Sequence, residues 1–512
     1  MTLSSHLEML YDPLQKRPNL WIWTELTKWD WSCYDSLVRF PNSPSISNAN
    51  KSGNFERYNI ARNHLRFYNN VGTTATYEMP YRLVCENGVE GLTFYVLRRI
   101  IEIHPAMSVS IIDEASLNPL WVRLKEINLK EVVRFYNIQD QDGEDASRAI
   151  VEGAHQVPFE RLGELPLWRL SVIRRHTGSE IQEIAHDKIT LEVGFFWHHG
   201  IADGGSGIAF HMEFLNALNK LIIENCTLPT SIDSIVIVPK LDLLPSIEEA
   251  HPLPLSLFFI AKQILKVILP TVPDKRLWTG PPIRSENNRT RLHTLFFPFP
   301  IVDALVRRCR ENNVTLTALV IVIIARVLAK FYPDYKRFKG KTAMSFRRFT
   351  GTDKNLMVNY TTSFNHRFSS VPKLGYINCG GSFSWTTVRA CKREINAATA
   401  APNNHTIGLF KFLRDYFSWL RNTVGSKRHD SFEVSNVGVM DVDQSHGVKI
   451  NRVLFSQSSN VVGPPYIFCM ATAKGGDLAI GLTCQDGVVE MESAERVLAD
   501  LESELLELAK CE

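Results

Sequence analysis

The stretch from Lys188 to Ile222 constrains the fold of this chain more than any other. Residues Lys188–Trp197 combine β-branched and aromatic side chains with the alternation typical of a strand. Two histidines, His198 and His199, follow directly, and a glycine-rich turn that carries Asp203 comes next. Apolar residues at helical spacing then run to the end of the stretch. The sequence therefore predicts a strand, a tight turn and a helix, with two imidazoles and one carboxylate held between packed elements.

The alternation of the strand separates the two histidines, because successive side chains point to opposite faces. His199 falls on an apolar face with Phe195 and Trp197. His198 falls on a more mixed face with Glu192. We therefore expect His199 to point into the interior and toward a channel, where burial keeps an imidazole neutral and able to act as a base.

Asp203 follows His199 across the glycine-rich turn, and three roles are open to it. It could hold the imidazole directly, as the carboxylate of a hydrolase triad does. It could instead pair with a distant arginine and brace the loop. It could also be a turn carboxylate near the N-terminus of the next helix, where the helix dipole favours negative charge.

Other kinds of site fit the sequence less well. Zinc needs at least three converging ligands, and adjacent strand residues point apart with only His211 nearby. The Gly205–Gly207 segment is not the G-x-S-x-G elbow of a serine nucleophile. A cysteine nucleophile such as Cys484 stays open, although buried structural thiols are far commoner. No phosphate-cradling or dinucleotide fingerprint is present. We expect no metal and no permanently bound cofactor.

Composition narrows the class of protein. The net charge is +3 without a basic run, which argues against nucleic acid as a partner. The 9 cysteines include no C-x-x-C pair, which favours a reducing compartment. Residues Met1–Leu10 lack a secretory signal pattern, and the longest apolar run, Ala318–Ala325, is far shorter than the roughly 20 residues of a membrane span. We expect a soluble, cytoplasmic protein.

A chain of 512 residues is too long for one core, so two lobes are expected. Changes in composition and periodicity along the chain predict an N-terminal extension, a first lobe with the two histidines, a proline-rich crossover and a second lobe. Their bounds are 1–53, 54–228, 229–285 and 286–512. Strands and helices mix without a regular βαβ order, which predicts an α+β fold.

Several individual elements can be predicted. Residues Thr76–Val84 are expected to form an edge strand because Pro80 interrupts them. A fully buried helix is expected at Thr317–Phe331 with Thr315 as its cap, and a further helix at Leu409–Leu420.

Within the crossover, Leu255–Leu269 is an apolar helical segment that carries Lys262 and Lys266 on one face. One interpretation is a helix that lies on a membrane surface. The other, which we favour, is a helix laid across the body of the protein.

At this point the motifs carry a resemblance. The run His198-His-Gly-Ile-Ala-Asp-Gly204 resembles the H-H-x-x-x-D-G motif of the CoA-dependent acyltransferase superfamily, which includes chloramphenicol acetyltransferase, plant BAHD acyltransferases and peptide-synthetase condensation domains. Further stretches, in order, resemble the fungal alcohol acetyltransferase family. They are Arg57-Tyr-x-x-Ala-Arg62, Pro166-Leu-Trp-Arg169, Trp278-Thr-Gly280, Ser345-Phe-Arg-Arg348, Val358-Asn-Tyr360, Ser435-Asn-Val-Gly438 and Phe455-Ser-Gln-Ser458.

The resemblance implies a two-lobed, chloramphenicol acetyltransferase-like fold, each lobe a mixed sheet with flanking helices and the active-site channel between them. It implies that His199 is the general base and that Asp203 is structural and pairs with Arg347. Ser435 and Asn436 would be the candidate donors to the oxyanion.

The remaining residues of the implied substrate and cofactor site are Trp197, His198, Gly204, Asn359 and Tyr360. The chain departs from the family pattern in three places. Phe346 replaces a leucine, Val358 replaces a glycine and puts the shape of the acyl pocket in question, and the first fifty residues lie outside the family core.

The function implied is an acetyl-CoA-dependent O-acetyltransferase of the EC 2.3.1 class, acting on the hydroxyl of a small molecule such as a fungal specialised metabolite. Its partners would be an acyl-CoA and an alcohol, with weak peripheral membrane contact, and we expect a monomer. Two alternatives stay open: a condensation-type or amine N-acyltransferase that uses a carrier-protein or CoA thioester, and a binding module without catalytic activity.

Overall fold

The computed structural model describes residues 50–139, 143–176, 187–229, 231–268, 274–442 and 445–510. The predicted extension 1–53 lies outside the described residues except for its last four positions.

The described residues contain strands and helices along their whole length. The strands are β1 (Asn50–Lys51), β2 (Val71–Pro80), β3 (Val109–Ile112), β4 (Leu120–Arg123), β5 (Glu126–Asn128), β6 (Val133–Gln139), β7 (Trp168–His176), β8 (Lys188–Trp197), β9 (Ile235–Ile237), β10 (Thr290–Phe297), β11 (Arg337–Ser345), β12 (Thr361–Ser369), β13 (Ile377–Asn378), β14 (Phe432–Met440), β15 (Lys449–Gln457), β16 (Tyr466–Ala473) and β17 (Leu478–Gln485). The α-helices are α1 (Asn54–His64), α2 (Tyr81–Asn87), α3 (Val89–Ile103), α4 (Leu129–Val132), α5 (Gly143–Gln156), α6 (Gly204–Ile223), α7 (Ile247–Ala250), α8 (Leu257–Ile268), α9 (Phe299–Glu311), α10 (Leu316–Phe331), α11 (Arg347–Thr350), α12 (Trp385–Ala400), α13 (Tyr416–Arg421) and α14 (Met491–Lys510). Short 3-10 helices lie at Pro105–Ser108 and Thr406–Phe412.

The first large sheet has β8, the strand that leads to the two histidines, at its centre. Its five strands have the order β15-β2-β8-β7-β6, and the strands are antiparallel except for the β7–β6 pair. Helix α6 packs on this sheet through Phe210, whose ring stacks on Phe195 at a centroid distance of 4.0 Å. The turn between β8 and α6 is therefore held at both ends by buried aromatic packing.

The prediction that Thr76–Val84 forms an edge strand is wrong. Strand β2 lies between β15 and β8, and Pro80 is its last residue, paired with Lys188. Proline at the end of a strand removes no interior ladder hydrogen bond, so it is compatible with a central strand. The chain continues into α2 directly after Pro80.

The second large sheet has seven strands in the order β10-β17-β16-β14-β11-β12-β13. Helix α10 lies against it with every residue from Ala318 to Leu328 buried. The Thr315 hydroxyl accepts a hydrogen bond from the Ala318 amide at 3.2 Å. The predicted cap is confirmed, and the predicted burial is confirmed for Ala318–Leu328 but not for the last turn, where Lys330 is exposed.

The two large sheets do not follow the order of the chain. Strand β15 comes from the C-terminal half, yet it pairs with β2 of the first sheet over Lys449–Gln457. After β15, the chain returns to the second sheet through the loop before β16. The Asp477 amide donates a hydrogen bond to the Asn451 carbonyl of β15 at 3.1 Å. The lobes are therefore joined by a strand as well as by the crossover.

The predicted helix Leu409–Leu420 is also wrong as one element. The segment consists of the 3-10 helix Thr406–Phe412 and the separate helix α13. Asp415 is extended between them, and its carboxylate accepts from the Ser418 amide at 2.9 Å as the cap of α13. The apolar pattern alone predicted one continuous helix, whereas the Asp415 cap begins a separate helix at Tyr416.

Helix α8 lies within the segment Leu255–Leu269, which was predicted to form a helix of the crossover. The side of α8 that faces solvent carries apolar side chains. Leu257 and Phe258 are 85% and 79% exposed, and Leu265 is also exposed on the same side as Lys262. Among the described residues no single helix is long and apolar enough to cross a membrane. Helices α9 and α10 together meet the criteria of length and composition, but the pair is bent by 97°.

Candidate active site

The turn after β8 orients the two histidines differently. Nδ1 of His199 lies 2.9 Å from the Ala202 carbonyl oxygen, which can only accept, so Nδ1 carries the proton and donates. Nε2 of His199 is then the basic nitrogen. Nδ1 of His198 accepts a hydrogen bond from the Gly200 amide at 2.8 Å, so its lone pair is already used. Of the two imidazoles, His199 is the one available as a base.

The depth of the two histidines differs from the prediction based on strand alternation. His198 is only 1% exposed and packs against the Phe159 ring, whereas His199 is half-buried. Strand β8 ends at Trp197, so the alternation of faces stops before either histidine is reached. The expectation that His199 is the residue in the interior is wrong. Its partial exposure leaves a route for substrate.

Both imidazoles are neutral at ordinary pH. Burial lowers the pKa of His199 to about 4, and the Arg62 guanidinium lowers it as well, whereas the Ala202 carbonyl and the Asp203 carboxylate oppose the change. Burial lowers the pKa of His198 to about 3, with smaller contributions from His199 and Arg62. Neutral His199 can accept a proton without first losing one.

Asp203 and Arg347 form a buried ion pair. Arg347 Nη1 lies 2.5 Å from Asp203 Oδ2, and the two residues are 8% and 3% exposed. Asp203 also caps α6, because its Oδ1 accepts from the Ser206 amide at 3.1 Å. Its Oδ2 accepts from the Tyr360 amide at 3.1 Å. Among the described residues, no hydrogen bond joins Asp203 to His199, so the geometry is that of an arginine pair and a helix cap.

Arg347 ties three segments to this carboxylate. Its Nη2 donates to the Ser206 hydroxyl and the Leu356 carbonyl, each at 3.1 Å, and to the Val358 carbonyl at 3.3 Å. The Val358 carbonyl also accepts from the Asp203 amide at 3.1 Å. The segment before β12 is thereby locked to the start of α6 across the two lobes.

Asn359 and Tyr360 follow on this locked segment. The Asn359 side-chain amide donates to the backbone carbonyl of His199. The Tyr360 hydroxyl donates to the Pro245 carbonyl at 2.6 Å. Asn359 therefore holds the backbone at His199, and Tyr360 anchors the neighbouring crossover segment.

The two candidate oxyanion donors are engaged to different degrees. The Asn436 side chain donates to the Thr317 hydroxyl at 2.8 Å, and its Oδ1 accepts from the Gly438 amide at 2.8 Å. The half-buried Ser435 makes no side-chain hydrogen bond with any other described residue. Ser435 is thus the freer donor. No hydrogen bond connects either residue to His199 within the described ranges.

Trp197 and Gly204 act on the turn itself. The Trp197 ring is fully buried, and its Nε1 donates to the Ala202 carbonyl at 2.9 Å, the same oxygen that His199 uses. A Cβ on Gly204 would come within 2.6 Å of Val437 and 2.9 Å of Phe455. Glycine is needed at 204 for this close approach, and the Trp197 indole N–H is already bonded to the Ala202 carbonyl.

Sequence reasoning did not single out several residues around His199. The Arg62 guanidinium stacks between the rings of Tyr58 and Tyr68, at 4.4 Å from each centroid. The Tyr68 ring lies 5.8 Å from the His199 ring, and its hydroxyl donates to Gln457 Oε1 at 2.6 Å. Arg62 and Gln457 belong to the R-Y-x-x-A-R and F-S-Q-S stretches quoted above, so those motifs were the available signal.

A small cavity opens beside the turn that carries the two histidines. Its free volume is about 50 Å³, and Gly200, Asn359, Tyr360, Glu56 and Trp121 are among the residues that line it. A larger and more open polar depression lies at Asp441–Val442, Lys449–Asn451 and Lys474–Gly476, but it shares no residue with the turn. The cavity beside the turn is the candidate site, because its lining includes Gly200, which follows His199 in the chain, and Asn359, which is bonded to the His199 carbonyl.

The competing nucleophile and metal interpretations find no geometric support. Cys484 is buried, and burial raises the pKa of its thiol to about 12, so it is not a thiolate at ordinary pH. Across the described ranges, no three His, Cys, Asp or Glu side chains are arranged to hold a metal ion.

Comparison with known proteins decides the family. A family model described as alcohol acetyltransferase matches residues 51–505. The chain belongs to the alcohol acetyltransferase family. The resemblance drawn from the motifs is confirmed, and so is the acyltransferase class. Proteins of this family use an acyl-CoA donor and an alcohol acceptor, and residues 1–50 lie outside the match.

Individual relatives agree with this assignment. The chain is 27% identical over 472 residues to crmB of Aspergillus fumigatus, described as a probable alcohol acetyltransferase, covering 87% of this chain and 96% of that protein. It is 26% identical over 421 residues to FCK4 of Fusarium pseudograminearum, with the same description, covering 79% and 83%.

Solved structures show the fold. The TRI3 trichothecene 15-O-acetyltransferase of Fusarium sporotrichioides superposes with a TM-score of 0.64 at 12% identity, covering 94% of this acetyltransferase and 100% of that chain. The epimerization domain of tyrocidine synthetase B superposes with a TM-score of 0.57 at 15% identity, covering 90% and 97%. The predicted two-lobed, chloramphenicol acetyltransferase-like α+β fold is confirmed.

Proposed function

We propose that this alcohol acetyltransferase transfers the acetyl group of acetyl-CoA to the hydroxyl of a small-molecule acceptor, a fungal specialised metabolite, with His199 as the general base. The observation that carries the proposal is the hydrogen bond from His199 Nδ1 to the Ala202 carbonyl. That bond leaves Nε2 unprotonated, in a half-buried site next to a cavity.

The reaction takes place in two steps within this site. His199 Nε2 removes the proton of the acceptor hydroxyl while the oxygen attacks the thioester carbonyl carbon. The Ser435 hydroxyl donates to the resulting oxyanion, since the Asn436 amide is already bonded to Thr317. The tetrahedral intermediate then collapses, the carbon–sulfur bond breaks, and the protonated His199 returns the proton to the CoA thiolate.

Asp203 and Arg347 are positioning residues in this proposal. Their ion pair and the contacts of Arg347 to the Val358 carbonyl hold the turn that bears the base. Both sides of the site come from one chain, which supports a monomer as the working unit. The exposed Leu257, Phe258 and Leu265 beside Lys262 support weak contact of α8 with a lipid surface.

Removal of the base tests the proposal. We expect His199→Ala to lower turnover by roughly 10²–10⁴-fold, the usual contribution of a general base, without loss of folding. Thiol release from acetyl-CoA is measured with a panel of hydroxylated acceptors, and acetylated products are identified by mass spectrometry. His64→Ala removes an exposed imidazole elsewhere and serves as the matched control.

Normal turnover by folded His199→Ala would refute the mechanism. The same assay separates the alternatives left open by the sequence. Activity only with an amine, or only with an acyl group on a carrier protein, would identify a condensation-type enzyme instead.

A further inference from the structure

Arg62 is one of four arginines that are buried in the described part of the chain. The other three have partners for their guanidinium groups. Arg326 and Arg347 each form an ion pair with a carboxylate, and Arg428 donates to three backbone carbonyls and to a glutamine oxygen. Arg62 forms no ion pair with a described residue and donates only to the Asn59 side chain. Of the four, it is the one whose charge and N–H groups are left largely without partners.

The N–H groups of Arg62 are only partly used. Nη2 donates to Asn59 Oδ1, whereas Nε is buried without a hydrogen-bond partner and Nη1 donates to no described residue. The rings of Tyr58 and Tyr68 lie over the guanidinium, with each centroid 4.4 Å from Cζ, and this contact stabilises its faces. The N–H groups point outward in the guanidinium plane, away from those faces. Buried donors of this kind favour a ligand atom that accepts hydrogen bonds.

Arg62 lies close to the proposed base. Phe55, Tyr58 and Arg62 follow one another at helical spacing in α1 and share one face. On that face, the Phe55 ring lies 6.4 Å from the His199 ring. The Tyr68 ring lies 5.8 Å from the His199 ring and 4.4 Å from Arg62 Cζ, so the two distances together, about 10 Å, are the most that can separate Cζ from the centre of the imidazole. Salt screens buried charges at such a distance only weakly.

The Tyr68 ring also connects Arg62 to the strand that carries the proposed oxyanion donor. The Tyr68 hydroxyl donates to Gln457 Oε1 at 2.6 Å, and Gln457 Nε2 donates to Cys469 Sγ at 3.2 Å. Cys469 of β16 is directly opposite Ser435 of β14. The base, Arg62 and Ser435 are thus grouped around Tyr68.

The other charges near His199 are paired. Besides burial and the guanidinium of α1, the Asp203 carboxylate and the Lys341 ammonium also affect the pKa of His199. Asp203 lies 2.5 Å from Arg347, and Lys341 Nζ lies 2.9 Å from Glu433 Oε2. Among the described residues, the guanidinium of α1 therefore leaves this part of the site with an excess of positive charge.

A positive charge beside a base is unfavourable unless negative charge forms nearby. Burial and, to a smaller extent, Arg62 lower the pKa of His199, so both make the imidazolium harder to form. In acyl transfer, the carbonyl oxygen of the thioester becomes negative as the imidazole gains its proton. The Ala202 carbonyl and the Asp203 carboxylate already favour the imidazolium. The oxyanion has only the Ser435 hydroxyl as a proposed donor, so it is the species that needs a positive charge.

We infer that Arg62 stabilises the tetrahedral oxyanion: its guanidinium supplies positive charge to the thioester carbonyl oxygen when the acceptor oxygen bonds to the carbonyl carbon. The inference rests on the proposed function and adds a second group to the oxyanion site beside Ser435. The electron pair of the carbonyl double bond moves onto the oxygen and returns when the carbon–sulfur bond breaks. Arg62 transfers no proton in either step.

Replacement of the charge tests the inference. Turnover is measured with acetyl-CoA and the best acceptor from a panel of primary alcohols, diols and phenols, and the concentration of each is varied to obtain kcat and KM. We expect Arg62→Gln to lower kcat by about 10-fold or more with little change in either KM, the effect of one unit charge at about 10 Å in a site of intermediate dielectric constant. Arg62→Lys keeps the charge and should retain most of the wild-type kcat.

Arg57→Gln is the matched control. Arg57 is also on α1 and lies 5.9 Å from the Tyr416 ring centroid, but its hydrogen bonds go to Asn54, Leu117 and Asn118 and not toward the base. We expect this variant to keep the wild-type kcat.

Titration of His199 provides a second measurement that does not depend on turnover. Its signal in nuclear magnetic resonance spectra of the histidine side chains is identified with His199→Ala. We expect Arg62→Gln to raise the pKa of His199 by up to about one unit, because a repulsive charge is removed, and Arg62→Lys to leave it lowered. The neighbouring His198 and Tyr68 do not titrate in this range, because burial lowers the pKa of the first to about 3 and raises that of the second well above its usual value.

Several results would overturn the role of Arg62 while leaving acetylation by His199 in place. Unchanged or faster turnover by folded Arg62→Gln would mean that the charge acts only on the base. A change confined to KM would indicate ground-state binding, and equal losses in Arg62→Gln and Arg62→Lys would indicate packing. An unmoved pKa of His199 in Arg62→Gln would show that the charge does not reach the site.

Arg62→Lys decides the matter where Arg62→Gln does not fold: retained kcat supports the inference, and a loss like that expected for Arg62→Gln contradicts it. A wild type that acetylates no alcohol of the panel would overturn the proposed function, and the role of Arg62 with it.

Discussion

Removal of the Asp203 carboxylate leaves the Arg347 guanidinium buried without its counter-charge. The two groups are 2.5 Å apart and almost wholly withdrawn from solvent, and both join the start of α6 to the segment before β12. We predict that Asp203→Ala and Arg347→Ala each lower the free energy of unfolding by about 3–5 kcal/mol, the usual cost of breaking a buried pair.

The double variant separates pairing from the other contacts of these residues. Asp203→Ala leaves a buried cation, Arg347→Ala leaves a buried anion, and the combination leaves neither. We therefore expect the double variant to be more stable than the sum of the two losses would give, by about 1–3 kcal/mol. The contacts to Ser206 and Tyr360 are lost in the double variant as well, so full recovery is not expected.

Urea unfolding of the four proteins, followed by fluorescence and by circular dichroism, measures these differences. Asp441→Asn is the control, because Asp441 and Lys474 have the same 2.5 Å separation but are 63% and 62% exposed. We expect no measurable change in that variant. Wild-type stability in Asp203→Ala, or strictly additive losses in the double variant, would show that the pair does not brace the turn.

Two further predictions concern pH and α8. Burial lowers the pKa of His155 and His198 to about 3 and that of His211 to about 4, so these imidazoles stay neutral in the folded protein while the unfolded chain protonates them near 6.5. Their contribution to stability is therefore complete above pH 6.5 and is lost as the pH falls toward 4, and urea midpoints that stay constant over that window would contradict it. Vesicles that contain anionic lipid should co-sediment with the wild type more than with a Phe258→Ser/Leu265→Ser variant, because both side chains are exposed apolar groups. Equal sedimentation of the two proteins would exclude α8 as a membrane contact.

The elements that could be predicted are those whose local pattern agrees with their surroundings. Strand β8 begins and ends at the residues expected from its alternation, and α10 has the expected cap at Thr315. Strand β12 was not predicted, because polar residues such as Asn365 and Arg367 interrupt its apolar positions. Its place between β11 and β13 comes from pairing, which a single segment does not encode.

Some features of the candidate site could likewise be predicted from the sequence, and others could not. The H-H-x-x-x-D-G run located His199, the proposed base, and its resemblance to known acyltransferases implied the partner of Asp203 in a segment far along the chain. Strand alternation misjudged the depth of His198 and His199, because β8 ends at Trp197 and both histidines lie beyond the strand. The cavity beside the turn was not predicted, because its walls come from distant segments of the chain.

By itself, the sequence determined the family and local elements such as β8 and the capped helix α10, because motifs, caps and periodicity act over short distances along the chain. Only the tertiary structure decided which imidazole is half-buried and which is fully buried, how β15 joins the first sheet, and which distant segments line the cavity beside the turn. These features depend on which surfaces are removed from water together, and burial of that kind is a property of the packed chain and not of any one segment.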